Sequence, residues 1–320
     1  MLLWFLIPLV LLALIALGVW LHHVFEGEWL PADLYREGRL SRMTLRQLDR
    51  LWADTPDRSD IIVTLTTTPS RIGLLHHTLK SLLDQSRLPA RIILNVPAFS
   101  QREQVAYEIP DTLKNLQSIE IKSCDDLGPA TKLIPTLLTQ PPDTAIVVVD
   151  DDRLYPPWLI ARYEVATAQT PDRALTMSGW VAPESLTDEM TTIRSNLLML
   201  PPAPIRAPRL SRPREVDVVQ GVMSYLVRPR FFDLDELTDF STGPDALRYV
   251  DDVRTSALCK VGKWVIPAPS LSFVPWRQAA HLQKNRLGLV NRIPGESHNR
   301  NNTIALKHYA GRWRVGGPKP

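Results

Sequence analysis

The segment Ile146-Val147-Val148-Val149-Asp150-Asp151-Asp152 constrains this chain more than any other. Its four β-branched apolar residues have the composition of a strand buried on both faces of a parallel sheet. The run stops abruptly in three consecutive carboxylates, followed by Arg153-Leu154-Tyr155-Pro156-Pro157-Trp158. Ligands of open α/β sheets bind outside the carboxyl ends of the strands, so these acids are expected at the rim where chemistry occurs. Three adjacent like charges repel, and a divalent cation among them makes the cluster favourable. A solvated acidic turn is the competing reading, and the rest of the chain has to decide between them.

Apolar, β-branched runs recur on both sides of that segment. Ile61–Thr66, Arg91–Val96, Ser118–Lys122, Ala174–Met177 and Lys263–Pro267 read as strands. Leu74–Leu83 has apolar residues at helical spacing, with Pro89 marking its exit, and Pro156-Pro157 pre-set the first turn of another helix. Strands alternating with helices predict an α/β fold with a mostly parallel sheet covered on both faces. Each junction carries polar groups where an anion or a nucleotide would rest. Thr66, Thr67 and Arg71 follow the first strand, Asp125 and Asp126 follow the third, and Lys132 stands near a helix start. A lone surface threonine or lysine is ordinary; their joint placement at one sheet edge is the signal.

Leu2–Leu21 is an uncharged apolar stretch long enough to cross a bilayer, interrupted only by Pro8 and Gly18. No Lys or Arg precedes it, unlike a cleaved signal peptide. We therefore expect a transmembrane anchor over 1–22 and a single-pass membrane protein. Arg36, Arg39, Arg42, Arg46 and Arg50 follow the anchor, which puts the body on the cytoplasmic side. Residues 23–58 read as a juxtamembrane spacer containing a short amphipathic helix, and 59–275 as the catalytic domain. Residues 181–214, rich in proline and arginine, are expected to form a flap beside the site. From Arg277 onward nine Lys/Arg face one acid, Glu296, so 276–320 forms a basic tail suited to phosphate-bearing partners. The two cysteines, 135 residues apart, make neither a disulfide framework nor a zinc spacing.

Two further segments complete the pattern. Val216–Val227 reads as two strands meeting at a bend at Gln220-Gly221, where the missing side chain admits a ligand or another backbone. Asp251 and Asp252 precede Val253, Ala257 and Leu258, which share one helical face; the acids either complement the helix dipole or supply a base.

In this order the segments resemble the inverting GT-A-type glycosyltransferases, the large family 2-like group. Ile62–Arg71 resembles that group's opening strand and nucleotide-binding loop, and Gly128–Leu133 its second nucleotide contact. Val147–Asp152 resembles the metal-binding DxD strand end, Gln220-Gly221 the turn near the acceptor, and Asp251-Asp252 the acidic pair holding the catalytic base. The similarity covers roughly residues 60–268. One departure is that Asp-Asp replaces the more usual Glu-Asp pair.

The resemblance implies a sugar transferred from a nucleotide-sugar donor, a UDP-sugar first among these, to a glycan or lipid-linked acceptor hydroxyl, with no nucleic-acid partner. It implies Mn²⁺ or Mg²⁺ held by Asp150 and Asp152, with His308 or His298 as a further ligand. It also implies Asp252 as base, with Asp251 as second candidate. Thr66, Thr67, Arg71, Asp125, Asp126, Asp151 and Lys132 are then the nucleotide-binding set. A hard cation prefers carboxylate oxygens and stabilises a diphosphate leaving group, and a carboxylate can take the proton of the attacking hydroxyl. Two other readings compete. A metal-dependent sugar-phosphate nucleotidyltransferase would release pyrophosphate, and an inactive membrane-tethered sugar-nucleotide-binding protein would need no base.

Overall fold

The computed structural model describes residues 2–279 and 297–318. Its central sheet has eight strands in the order β10-β13-β7-β12-β6-β1-β2-β5. These are β1 (Ile62–Thr66), β2 (Arg91–Pro97), β5 (Ile119–Cys124), β6 (Ile146–Val148), β7 (Ala174–Thr176), β10 (Arg214–Val216), β12 (Tyr225–Val227) and β13 (Lys263–Val265). β5, β2, β1 and β6 run parallel as a block, and β7 and β13 point the same way; β12 and β10 are antiparallel. A short hairpin of β3 (Phe99–Ser100) and β4 (Val105–Ala106) follows β2. A three-stranded sheet joins β8 (Ser178–Trp180), β9 (Ile205–Arg206) and β11 (Val218–Val219). The fold is thus α/β with a mostly parallel central sheet.

The apolar run at β6 is explained by burial on both sides. Val147 and Val149 belong to one core, Ile146 and Val148 to the other, following the two-residue period of a strand. The first core is covered by α3 (Leu45–Ala53), α4 (His76–Leu83) and α6 (Leu159–Gln169). The second is covered by α5 (Ile134–Leu137), α9 (Asp251–Leu258) and α10 (Asn301–His308). Ile62, Val63 and Thr64 of β1 lie opposite Ile146, Val147 and Val148 of β6, which brings both chain exits to one edge.

Segment 23–58 packs on the body. α2 (Leu30–Ser41) and α3 contribute Leu40, Leu45, Leu48 and Trp52 to the first core. Thr44 caps α3 through a capping box with Gln47. Arg36, almost fully buried, is held by the Asp84 carboxylate and by the carbonyls of Ser81, Asp84 and Tyr155. The described part of the C-terminal segment is also packed, with Ala305, Leu306 and Tyr309 in the second core. Asp217, fully buried, accepts from the backbone N–H groups of Ala182, Arg314, Val315 and Gly316 at 2.7–3.0 Å. Lys284, Arg286, Arg292, Glu296 and Lys319 of the expected basic tail lie outside the described residues.

Segment 181–214, expected as a flap, carries regular structure. It contains α7 (Ile193–Leu198), capped by Thr192, and β9, which pairs with β8. α1 (Leu2–Glu26) projects from the body, and its 20 residues Ile7–Glu26 have a mean hydropathy of 2.1, long and apolar enough to cross a membrane.

Candidate functional site

β1, β2, β5 and β6 all end at the same edge, and the loops leaving them enclose a cavity of about 1060 Å³. Thr66, Thr67 and Arg71 come from the first loop, Arg102 and Tyr107 from the second, Asp126 and Lys132 from the third. Asp150, Asp151, Asp152 and Arg153 come from the fourth. The carboxyl-end rule of open α/β sheets therefore places the polar residues singled out by the sequence around one space.

Lys132 is the centre of the charge arrangement. Its Nζ lies 2.8 Å from Asp150 Oδ1, 3.0 Å from Asp251 Oδ2 and 3.7 Å from Asp252 Oδ1. Two acid clusters a hundred residues apart thus share one ammonium, which is only 8% exposed. Desolvation alone would lower its pKa, but Asp150, Asp251 and Asp252 outweigh burial and raise it well above the ordinary lysine value. Its backbone is clamped as well. Thr64 Oγ1 donates to the Lys132 carbonyl at 2.8 Å, and Asn95 Nδ2 donates to Thr64 Oγ1 and Thr136 Oγ1. All three polar side chains are fully buried and mutually satisfied, which makes the clamp rigid.

Asp251 and Asp252 occupy the first turn of α9, where negative charge is favoured by the helix dipole. Gly221 makes their approach to Lys132 possible. A Cβ there would lie 2.4 Å from Lys132 Nζ and 2.8 Å from Asp252 Oδ1. The Gly221 N–H also donates to Asp252 Oδ2 at 3.0 Å. The bend at Gln220-Gly221 thus admits neighbouring side chains of the protein itself. Burial pushes the Asp252 pKa up to about 7, with Lys132 acting in the opposite sense and Asp251 adding repulsion. The side chain is 30% exposed, while its Oδ1 is buried without a hydrogen-bond partner.

The three aspartates after β6 have different surroundings. Asp151 is committed to the protein: Thr67 Oγ1 donates to it at 2.6 Å and Arg71 Nη1 at 3.0 Å, while Thr78 donates to its carbonyl. Burial raises its pKa to about 6 against the pull of Arg71. Asp150 has Lys132 on one oxygen, and its backbone N–H donates to the hydroxyl of the fully buried Tyr155. Asp152 has Arg71 Nη1 at 3.4 Å from Oδ2, while Oδ1 is buried without a hydrogen-bond partner. An orphaned carboxylate oxygen beside Asp150 and an open cavity fits a hard divalent cation that completes its shell with phosphate and water. Among the described residues no group of three or more His, Cys, Asp or Glu side chains forms a metal cage, which a cation sharing its shell with phosphate does not require.

Of the residues singled out by the sequence, Asp251 and Asp252 meet the cavity-lining Lys132 without lining the cavity themselves, and two more stand apart. Asp125 is exposed and does not line the cavity; its neighbour Asp126 does, and its carboxylate caps the N–H groups of Gln101 and Gly128. His308 is exposed at the end of α10, packed edge-on against Tyr309, and also does not line the cavity. Thr66 borders the cavity but spends its hydroxyl on the Asn95 carbonyl.

Sequence reasoning missed Arg102, Tyr107 and Arg153, which sit on irregular loops without local periodicity. It also missed the inner end of α1 and the residues just after it: His22, Glu26 and Glu28 line the same cavity. Arg153 reaches Glu28 at 3.2 Å, and Glu28 reaches His22 at 3.0 Å. The Leu271 N–H donates to the Gly27 carbonyl at 2.8 Å, and Gly27 has φ +80° with no room for a Cβ against Leu271. The apolar helix is therefore joined directly to the edge of the site.

No family model matches this sequence, and no curated protein matches it. Among solved structures, 67% of the chain is similar to the crystal structure of S. aureus TarS 1-349, with 11% identity and a TM-score of 0.44. The same TarS fragment in complex with UDP gives 12% identity and a TM-score of 0.43 over 67% of the chain. The chain spans 60% of the length of these structures.

Proposed function

We propose that this protein is a membrane-anchored, metal-dependent GT-A-type glycosyltransferase that moves a sugar from a nucleotide-sugar donor, a UDP-sugar first among these, to an acceptor hydroxyl. The observation that carries the reading is the joining of Asp150 and the Asp251-Asp252 pair through Lys132, beside a cavity rimmed by Arg71, Arg102 and Asp152. Acids for a cation, basic groups for a diphosphate and a partly buried carboxylate with a raised pKa are what this reaction needs in one place.

In this reading Arg71 and Arg102 attract the diphosphate, and Lys132 keeps the carboxylates from repelling one another. Asp152 and Asp150 would hold the divalent ion, Mn²⁺ or Mg²⁺. Such an ion supplies Lewis-acid stabilisation of the charge that develops on the leaving diphosphate. The acceptor oxygen attacks the anomeric carbon as the bond to the diphosphate oxygen breaks. Asp252 takes the hydroxyl proton, its raised pKa matching the task near neutral pH. A single displacement inverts the anomeric centre, so a product ¹H NMR spectrum showing a retained anomer would reject that part. The join between α1 and the site edge supports an acceptor presented at the membrane, a lipid-linked or surface glycan, and the arginines that follow α1 support a body on the cytoplasmic side.

The test is to incubate the full chain with nucleotide sugars, Mn²⁺ and a membrane-lipid extract, and separately with nucleoside triphosphates and sugar phosphates. Release of nucleoside diphosphate in the first mixture is expected. Pyrophosphate release in the second would favour a nucleotidyltransferase, and turnover unchanged by Asp252→Asn would remove the proposed base.

A further inference from the structure

One surface remains outside the account of the site. Met190 and Ile193 are 76% and 73% exposed, and Leu197, Leu198 and Leu200 beside them are also exposed. All lie on or next to α7, whose own side of the body is held firmly. Arg209 donates to the carbonyls of Asn196 and Leu197 at 2.6 and 2.5 Å, and Arg206 donates to the Asn196 side chain at 3.0 Å. The backbone ends of the helix are therefore satisfied, while its large apolar side chains point away from the protein. Five apolar residues displayed this way on a fastened helix mark an interaction surface.

Its position and charge identify the partner. α7 packs against α1, the helix long and apolar enough to cross a bilayer. The Glu26 carboxylate at the inner end of α1 is close enough to act on the charge of Arg206, so this segment lies where α1 would leave the membrane. From Met190 to Arg214 there are five arginines (194, 206, 209, 212 and 214) and no acid. A short helix with exposed Met, Ile and Leu in a basic setting has the composition of an element lying in the headgroup layer of an anionic membrane.

We infer that α7 and its flanks, residues 190–200, form a second membrane contact that inserts into the surface of the bilayer α1 spans. This rests on the reading of α1 as the anchor, and deepens it. Two contacts, one spanning and one lying on the surface, fix how the body tilts. Because His22, Glu26 and Glu28 line the cavity, the site is then held at a constant height above the lipid.

The test uses the full chain in phosphatidylcholine–phosphatidylglycerol nanodiscs, one chain per disc, with Cys124 and Cys259 replaced by serine and alanine. A nitroxide is placed in turn at Leu12→Cys, Ile193→Cys and Asp143→Cys, the last beside the opposite edge of the sheet. Collision rates with oxygen and with a water-soluble nickel chelate are measured by electron paramagnetic resonance. Leu12 and Ile193 are expected to favour oxygen, and Asp143 the chelate. Chelate access at Ile193 with Leu12 still shielded overturns the surface contact and leaves the anchor standing. Chelate access at Leu12 removes both. An Ile193 label shielded from both reagents marks a protein contact and likewise overturns the inference.

Discussion

Replacing Lys132 by methionine keeps most of the volume and removes the one charge that joins the acid clusters. Asp150, Asp251 and Asp252 then face one another without that shared cation. Breaking a buried ion pair by removing one partner costs about 3–5 kcal/mol, because the remaining charge is stranded. Asp150 and Asp252 keep 28% and 30% exposure and relax toward water, while Asp251, 8% exposed, cannot. The low end, about 3 kcal/mol, is therefore expected near pH 8. At about 2–4 °C per kcal/mol for a domain of this size, the melting temperature should fall by about 6–12 °C. The pH dependence carries the sharper test. In the variant, stranded carboxylates bind protons in the folded state at pH values where the unfolded chain does not, so acid stabilises the variant relative to the wild type. The deficit should shrink between pH 8 and pH 5.5, as read by intrinsic-fluorescence melting of the full chain in detergent micelles. Equal melting temperatures at pH 8, or a deficit that stays constant as the pH falls, would refute the role assigned to Lys132.

Three other outcomes follow from the same geometry. Asp252→Asn should lower kcat by about 10²–10⁴ with little change in melting temperature, the range for removing a general base. In the wild type kcat/KM should rise as pH increases through about 7, since only the ionised Asp252 accepts a proton, and that limb should vanish in the variant. Gly221→Ala should reduce turnover by displacing Lys132 and Asp252, which a Cβ would approach to 2.4 and 2.8 Å; unchanged stability and turnover would contradict the close packing of that turn.

Much of the sheet was legible because its inner strands, such as β2, β6 and β7, bury both faces and so read as continuous apolar runs. Ile146–Val149, Arg91–Val96 and Ala174–Met177 match observed strands to within a residue or so. The acids after β6 were legible for the same reason, since a strand's end is where polar residues must resume. What lay beyond local reading were contacts set by topology. Nothing near Lys132 announces that it meets Asp251 and Asp252, because that contact depends on β12 entering antiparallel beside β6. Asp125 and Asp126 are indistinguishable in sequence, yet one turn exposes the first and uses the second as a cap. Residues 181–214 read as a loop because proline and arginine obscure a short helix whose apolar side faces outward.

The central claim is that the cavity at the joined acid clusters receives a nucleoside diphosphate together with a divalent ion. Isothermal titration of the full chain with UDP, with and without Mn²⁺, tests it most directly when repeated on Asp152→Asn. Saturable binding that strengthens with Mn²⁺ in the wild type and loses that dependence in the variant is the predicted result. Absence of binding by UDP, and by GDP, CDP and dTDP in its place, would contradict the account.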